Sequence, residues 1–201
     1  MTRNWNETEK QILDDALFSY RRALEEMEIC GDISKLVLGE GPRQAFLMLI
    51  GEAPGKQEVL EGRPFVGKAG KQLDGFLQST GLEREQLYVG NAVKYRPTKP
   101  GRNANRTPGK KEVDLARPLL MAEIAAVRPR IIATLGNTPL YALTQNKDAK
   151  IGELHGKAMD WQGFSLFPLY HPASVIYNRS LEEVYQDDLR RLKAHIQQLQ
   201  T

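Results

Sequence analysis

Apolar positions along the 201-residue chain follow two rhythms. Ile12, Leu13, Leu17, Leu24 and Met27 recur at helical spacing and predict a packing helix over about 6–28, with Asn6 and Glu9 as a capping pair at its start. Four short apolar runs, at 45–50, 87–89, 130–135 and 164–169, read as buried strands. Between them, Leu73, Phe76 and Leu77 share the face of a helix that opens near Lys68 and stops at Gly81. A second stretch, from about Lys110 to Ala126, carries Val113, Leu115, Leu119, Leu120 and Ile124, with Pro118 expected to kink or delay it. Asn137 is positioned to cap a brief helix through Leu143. Ser180 with Glu183 forms the capping box of a last helix, whose inner stripe is Leu181, Val184, Leu189, Leu192, Ile196 and Leu199. Leu36-Val37-Leu38 is an edge strand or a loop anchor, and 145–157 reads as loop. Strands alternating with helices predict an α/β chain, a three-layer α/β/α sandwich around a central, mostly parallel four-stranded sheet, forming one domain over 1–201.

Composition changes this picture little. A 41% hydrophobic, 26% charged chain is ordinary for a globular protein. No apolar stretch is long enough to cross a bilayer, and the N-terminus has no apolar run behind its basic residue, so neither a membrane span nor a secretory signal is expected. The single cysteine, Cys30, allows no intrachain disulfide and argues against a cysteine-held metal. A cytoplasmic monomer is the expectation. Charge matters more by placement than by its net value of +3: Lys94, Arg96, Lys99, Arg102, Arg106, Lys110 and Lys111 follow one another with no acidic residue between. Such a loop is the footprint expected for a polyphosphate partner, or else a solvated, disordered insertion.

The most informative stretch lies between the first strand and the helix near Lys68. It carries glycines at 51, 55, 62, 67 and 70, prolines at 54 and 64, the carboxylates Glu52 and Glu58, and Arg63 and Phe65. Glycine and proline of themselves indicate turns. Phe65 between Pro64 and Gly67 tilts the balance toward a pocket, because a large apolar side chain on such a loop needs something to cover. A loop at the carboxyl end of a buried strand is where open α/β sheets bind ligands. The same rule singles out Asn91 after the second strand and His171 after the fourth. Parallel strands would bring Glu52, Asn91 and His171 to one rim.

Gly51-Glu52-Ala53-Pro54-Gly55 with Glu58, Gly62, Pro64-Phe65-Val66-Gly67 and Ala69-Gly70, then Asn91 to Pro97, then His171-Pro172-Ala173-Ser174 together resemble the motifs of the uracil-DNA glycosylase superfamily, most closely its family-four, thermostable-type branch. The resemblance runs from about Gly39 to the final helix. It implies hydrolysis of the N-glycosidic bond of uracil in DNA during base-excision repair. Alternatives are a glycosylase for other deaminated bases and a non-catalytic binder of uracil-containing or damaged DNA. A nucleotide-processing enzyme is a more distant option, since no phosphate-loop signature follows the glycines.

The resemblance also implies roles. Glu52 would hold or activate water and His171 would donate to the developing base anion, while Gly51, Ala53, Pro54, Gly55, Phe65 and Asn91 would bind the extruded base. Lys94, Arg96, Arg102 and Arg106 would grip phosphates. Ser174, Val175 and Ile176 would meet the duplex, with Val175 or Ile176 as an apolar wedge. Members of the branch usually hold an iron–sulfur cluster through four cysteines, one at the position of Tyr95 and one near Ala116. This chain has Cys30 alone, so no cluster, and no metal or other cofactor, is expected.

Overall fold

The computed structural model describes residues 6–27 and 29–200, so the expectation for Met1 to Trp5 and the predicted helix end at Glu28 lie outside the described residues. The chain runs α1 (Glu7–Glu26), β1 (Gly31–Asp32), β2 (Leu47–Gly51), α2 (Lys56–Glu61), α3 (Lys68–Thr80) and β3 (Tyr88–Asn91). Then come β4 (Arg96–Pro97), α4 (Lys110–Val127), β5 (Ile131–Leu135), α5 (Asn137–Thr144) and α6 (Ile151–Leu154). β6 (Met159–Trp161), β7 (Phe164–Leu169), α7 (Pro172–Tyr177) and α8 (Glu182–Gln200) complete it.

The main sheet has the order β3-β2-β5-β7-β6, with the first four strands parallel and β6 antiparallel to β7. The four expected strands are present, and a fifth extends the sheet. β6 joins β7 through Gln162 at φ 51° and Gly163 at φ 81°, two left-handed residues of the kind that close a tight hairpin. Its three residues are too few for alternation to reveal. A separate two-stranded ribbon pairs β1 with β4.

Alternation along the strands builds the three layers. Met48, Ile50, Ile132 and Leu166 face Tyr20 and Leu24 of α1, Val113, Leu119 and Leu120 of α4, and Leu140 of α5. Leu47, Leu49, Ile131, Ala133 and Phe167 face Leu73, Phe76 and Leu77 of α3 and Leu189, Leu192 and Ile196 of α8. The period of two in a strand separates the two sets, and a one-residue slip would exchange them.

Local signals hold in part. Asn6 Oδ1 accepts the Glu9 amide at 2.8 Å and Glu9 Oε2 accepts the Asn6 amide at 3.2 Å, so α1 begins at its capping box. Ile12, read as part of the inner stripe, is instead 50% exposed, and Tyr20 takes its place in the core. Gly81 ends α3 in the left-handed conformation. α4 runs unbroken through Pro118.

Other signals are overridden. Asn137 does not cap α5; the cap is Gly136, and the Asn137 side chain accepts the Ile151 amide at 2.9 Å. The Ser180–Glu183 box does not form, because Asn178 caps a short 3₁₀ turn ahead of α8 by accepting both the amide and the hydroxyl of Ser180. Leu36-Val37-Leu38 is a loop anchor: Val37 is fully buried and donates its amide to the Lys94 carbonyl at 2.7 Å. α2 and α6 are short helices inside stretches that read as loop. No described helix is long and apolar enough to cross a membrane.

Candidate active site

Because β2, β3, β5 and β7 are parallel, their carboxyl ends share one rim. Gly51 pairs in register with Asn91, and Leu135 with Leu169. Glu52 follows β2, Asn91 ends β3, Thr138 lies in the first turn of α5 just past β5, and His171 opens α7 just past β7.

Phe65 ties these positions together. A Cβ built on Gly51 would lie 2.4 Å from Phe65 Cζ and 2.5 Å from Asn91 Oδ1, so only glycine lets the ring and the amide approach the strand end. The Phe65 ring also stacks toward His171, with centroids 6.2 Å apart and planes at 29°. Phe65 is 5% exposed and belongs to the core cluster on the α3 side of the sheet, so it covers the core and lies at the rim at once. Its φ of 55° is a strained conformation for a bulky residue, and such strain gathers at functional sites.

The surroundings hold Phe65 there. Arg84 donates to the carbonyls of Pro64 at 2.7 Å and Phe65 at 3.1 Å, and it is itself held by Asp74 at 2.8 Å. A Cβ on Gly70 would sit 1.9 Å from the Phe65 carbonyl oxygen, so α3 packs against this backbone through a glycine. Glu58 is an organiser of the loop: one oxygen accepts the amides of Val66 and Gly67 at 3.1 and 2.8 Å, the other that of Gly55 at 3.1 Å. Arg63 forks onto Glu40. Pro54 is buried, while Ala53 and Gly55 are half-buried along the same loop.

Glu52 is half-buried and accepts the Thr138 hydroxyl at 2.7 Å. Burial pushes its carboxyl above the usual carboxylate range, while the hydroxyls of Thr138 and Thr107 pull the other way without cancelling it. His171 Nδ1 accepts the Ala173 amide at 3.2 Å. With Nδ1 acting as an acceptor, the ring proton is on Nε2. Burial lowers the imidazole to about 4, so at neutral pH it is an uncharged donor.

The basic loop is placed differently from its sequence pattern. Lys94 is fully buried, and its ammonium donates to the Glu123 carboxylate and, at 2.6 Å, to the Asn91 carbonyl, so it does not face a phosphate. Arg96 is 7% exposed and forks onto the side chains of Asn105 at 2.7 Å and Asn103 at 2.8 Å. Arg106 is turned onto Glu112 at 2.6 and 2.8 Å. Each of these three cations is spent inside the protein. Arg102 is exposed, as is Lys99. Arg96 and Arg106 anchor the loop at its two ends, while residues 99–105 between them are exposed.

Past His171, Val175 is 3% exposed and packs in the core with α3, which removes it as a wedge. Ser174 is half-buried; Ile176 is 41% exposed and Tyr177 90%. The residues missed by pattern are Thr138, Arg84, Glu112 and Tyr177. Thr138 was findable, since the rule about strand ends applies equally to β5.

The four thiolates implied for an iron–sulfur cluster are not matched by the residues present. Cys30 is the single cysteine of the chain. Where a cysteine is expected stands Tyr95, whose hydroxyl donates to Glu112 and whose ring would lie 2.6 Å from a Cβ on Gly31. This donor set does not fit such a cluster.

Comparison with known proteins agrees with the motifs. The family model of the uracil DNA glycosylase superfamily matches residues 38–198. The chain is 40% identical over 165 residues to the type-4 uracil-DNA glycosylase of Saccharolobus solfataricus, covering 78% of this chain and 74% of that protein. It is 35% identical over 166 residues to the type-4 uracil-DNA glycosylase of Thermotoga maritima, covering 81% and 84%. It also matches a DNA polymerase of Bacillus phage SP01 at 31% identity, covering 79% of this chain but 16% of the polymerase.

Proposed function

Since the chain belongs to the uracil DNA glycosylase superfamily, we propose that it hydrolyses the N-glycosidic bond of uracil in DNA and leaves an abasic site. The observation that carries this reading is the meeting of Glu52, Phe65, Asn91 and His171 at one sheet rim, with Gly51 making room for the ring and the amide. The uracil is extruded from the stack into this pocket and rests on Phe65. The Asn91 amide offers one donor and one acceptor to a uracil carbonyl and the ring N–H, and cytosine presents the reversed pattern.

As the bond from the sugar C1′ to the base N1 breaks, its electron pair leaves with the uracil. His171 donates its Nε2–H to the negative charge growing on the base oxygen, and its neutral form is the one the buried site favours. The Glu52 carboxylate stabilises the cationic sugar and takes a proton from the water whose oxygen bonds to C1′. Thr138 holds that carboxylate in place.

Exposed Lys99 and Arg102 take the phosphate contacts, and binding weakens as salt rises. The wedge that fills the gap in the stack is assigned to Ile176 and Tyr177, the exposed tip of α7. Replacing both with alanine is expected to slow excision from duplex DNA while leaving single-stranded substrate unaffected; equal slowing on both would remove the wedge role. The enzyme is expected to work without an iron–sulfur cluster. Purified protein should be colourless, and iron-linked visible absorbance would overturn this.

The deciding experiment is excision on labelled oligonucleotides carrying one uracil, single-stranded or paired with A or G, with hypoxanthine and thymine controls. Alkali-sensitive cleavage at uracil is the expected result. Salt-sensitive binding without cleavage would instead make the protein a binder of uracil-containing DNA.

A further inference from the structure

The chain entering β3 is tied to the loop that carries Phe65 by one side chain. Arg84 opens the 3₁₀ turn Arg84–Gln86 that leads into β3, and its side chain is 18% exposed. Nη2 donates to the Pro64 carbonyl at 2.7 Å and Nη1 to the Phe65 carbonyl at 3.1 Å. These carbonyls belong to the two peptide planes on either side of the Phe65 Cα, so bonds to both fix φ and ψ there together. That rotation is the costly one: φ is 55°, a conformation a bulky residue keeps only where its surroundings over-determine it.

Two further groups hold the guanidinium. Nη1 also donates to Asp74 Oδ1 of α3 at 2.8 Å, and Gly70 of the same helix lies so close that a Cβ there would be 1.9 Å from the Phe65 carbonyl oxygen. On the other side, Nη2 comes within 3.7 Å of Glu40 Oε1, on the carboxylate that Arg63 grips. Glu40 is in turn fastened to β3: its amide donates to the Val89 carbonyl at 2.9 Å and its carbonyl accepts the Val89 amide at 2.8 Å. Val89 stands two residues before Asn91. Loop, helix and strand edge thus meet at one planar cation whose forked donors have fixed directions.

We propose that Arg84 is a positioning residue for base recognition: by gripping both carbonyls around Phe65 and facing the Glu40 carboxylate on the β3 edge, it holds the Phe65 ring at a set spacing from the Asn91 amide. Gly51 shows how tight that spacing is, since a Cβ there would meet Phe65 Cζ at 2.4 Å and Asn91 Oδ1 at 2.5 Å. A rotation at Phe65 would drive the ring against the strand end or draw it away from the base. The role in excision rests on the glycosylase reading above; the grip on Phe65 rests on the bonds alone.

The test is single-turnover uracil excision, with inhibition by free uracil as a second reading, in Arg84→Met, Arg84→Lys, Phe65→Ala and Arg84→Met/Phe65→Ala. Arg84→Met is expected to slow excision roughly tenfold, in the range set by one base–aromatic stack, and to weaken inhibition by uracil. Affinity for uracil-free duplex DNA is expected to stay unchanged. Arg84→Lys keeps the charge but loses the fork, and is expected to behave like Arg84→Met. In the Phe65→Ala background Arg84→Met is expected to add no further loss, because no ring is left to place. Multiplied losses in the double variant, or a wild-type rate and uracil inhibition in Arg84→Met or Arg84→Lys, overturn the proposal. If the wild-type protein excises no uracil, the glycosylase reading fails, and amide hydrogen exchange then judges the grip. Faster exchange at Phe65, Val66 and Gly67 in Arg84→Met, with β5 unchanged, supports it. Unchanged exchange at these three amides, or equally faster exchange in β5, overturns it.

Discussion

Glu52→Gln is expected to lower single-turnover uracil excision by roughly 10²–10⁴-fold, the range over which a positioned acid or base acts, while DNA binding is retained. The amide keeps the size of the carboxylate and can still accept the Thr138 hydroxyl, so the pocket is preserved and only the negative charge is lost. That charge has two tasks, facing the cationic sugar and accepting the proton of water, and glutamine performs neither. The pH profile gives a second reading. In the wild type, burial raises Glu52, so activity falls on the acid side as this carboxylate protonates. In Glu52→Gln that limb disappears, and the remaining acid limb belongs to His171 at about 4. Retention of full activity, or an unchanged acid limb, would remove Glu52 from the mechanism.

The folded-state value of His171 lies below its ordinary 6.5, so the folded protein binds this proton less readily than the unfolded chain. Its contribution to stability is therefore complete above about pH 6.5 and declines as pH falls toward 4. Protonation at Nδ1 would also break the bond accepted from the Ala173 amide, loosening the first turn of α7.

Lys94→Met is the substitution expected to cost most in stability, about 3–5 kcal/mol, because removing one partner strands a buried charge. Lys94 is 0% exposed and Glu123 is 3% exposed, so solvent cannot take over for either. The methionine side chain fits the volume but, among the described residues, leaves the Glu123 carboxylate with the Gly39 amide at 3.1 Å and the Tyr88 hydroxyl at 3.4 Å. Adding Glu123→Gln removes the stranded charge and keeps an acceptor for both donors, so Lys94→Met/Glu123→Gln is expected to recover a large part of the loss. Urea denaturation of the three proteins checks this: a single mutant as stable as the wild type, or a double mutant no better than the single, would deny the pair its role. The double mutant should still excise poorly. Lys94 also holds the Asn91 carbonyl, and without that anchor the amide that reads the base is no longer fixed.

The parts of this protein legible in its sequence are those written in short-range pattern. Apolar runs locate β2, β3, β5 and β7 because a strand buried on both faces must be continuously apolar. Glycine-rich punctuation at the strand ends marks the pocket, because a ring and an amide can approach a backbone closely only where no Cβ stands. Glu52, Asn91 and His171 stand out because parallel strands put their carboxyl ends together. β6 was hidden, since three residues carry no period and its hairpin depends on two left-handed turn positions.

Short-range pattern alone specifies the layered α/β architecture, the rim on which the chemistry sits and the family-like motifs. The use of the charges was decided only in three dimensions. Lys94, Arg96, Arg102 and Arg106 look alike along the chain, yet the first is paired in the core, the second and fourth brace a loop, and Arg102 is exposed. The physical reason is that a cation's role depends on which acceptors and how much water surround it. Glu123 and Glu112 lie 29 and 17 residues from Lys94 and Tyr95, separations that only the folding of α4 against the sheet brings to contact.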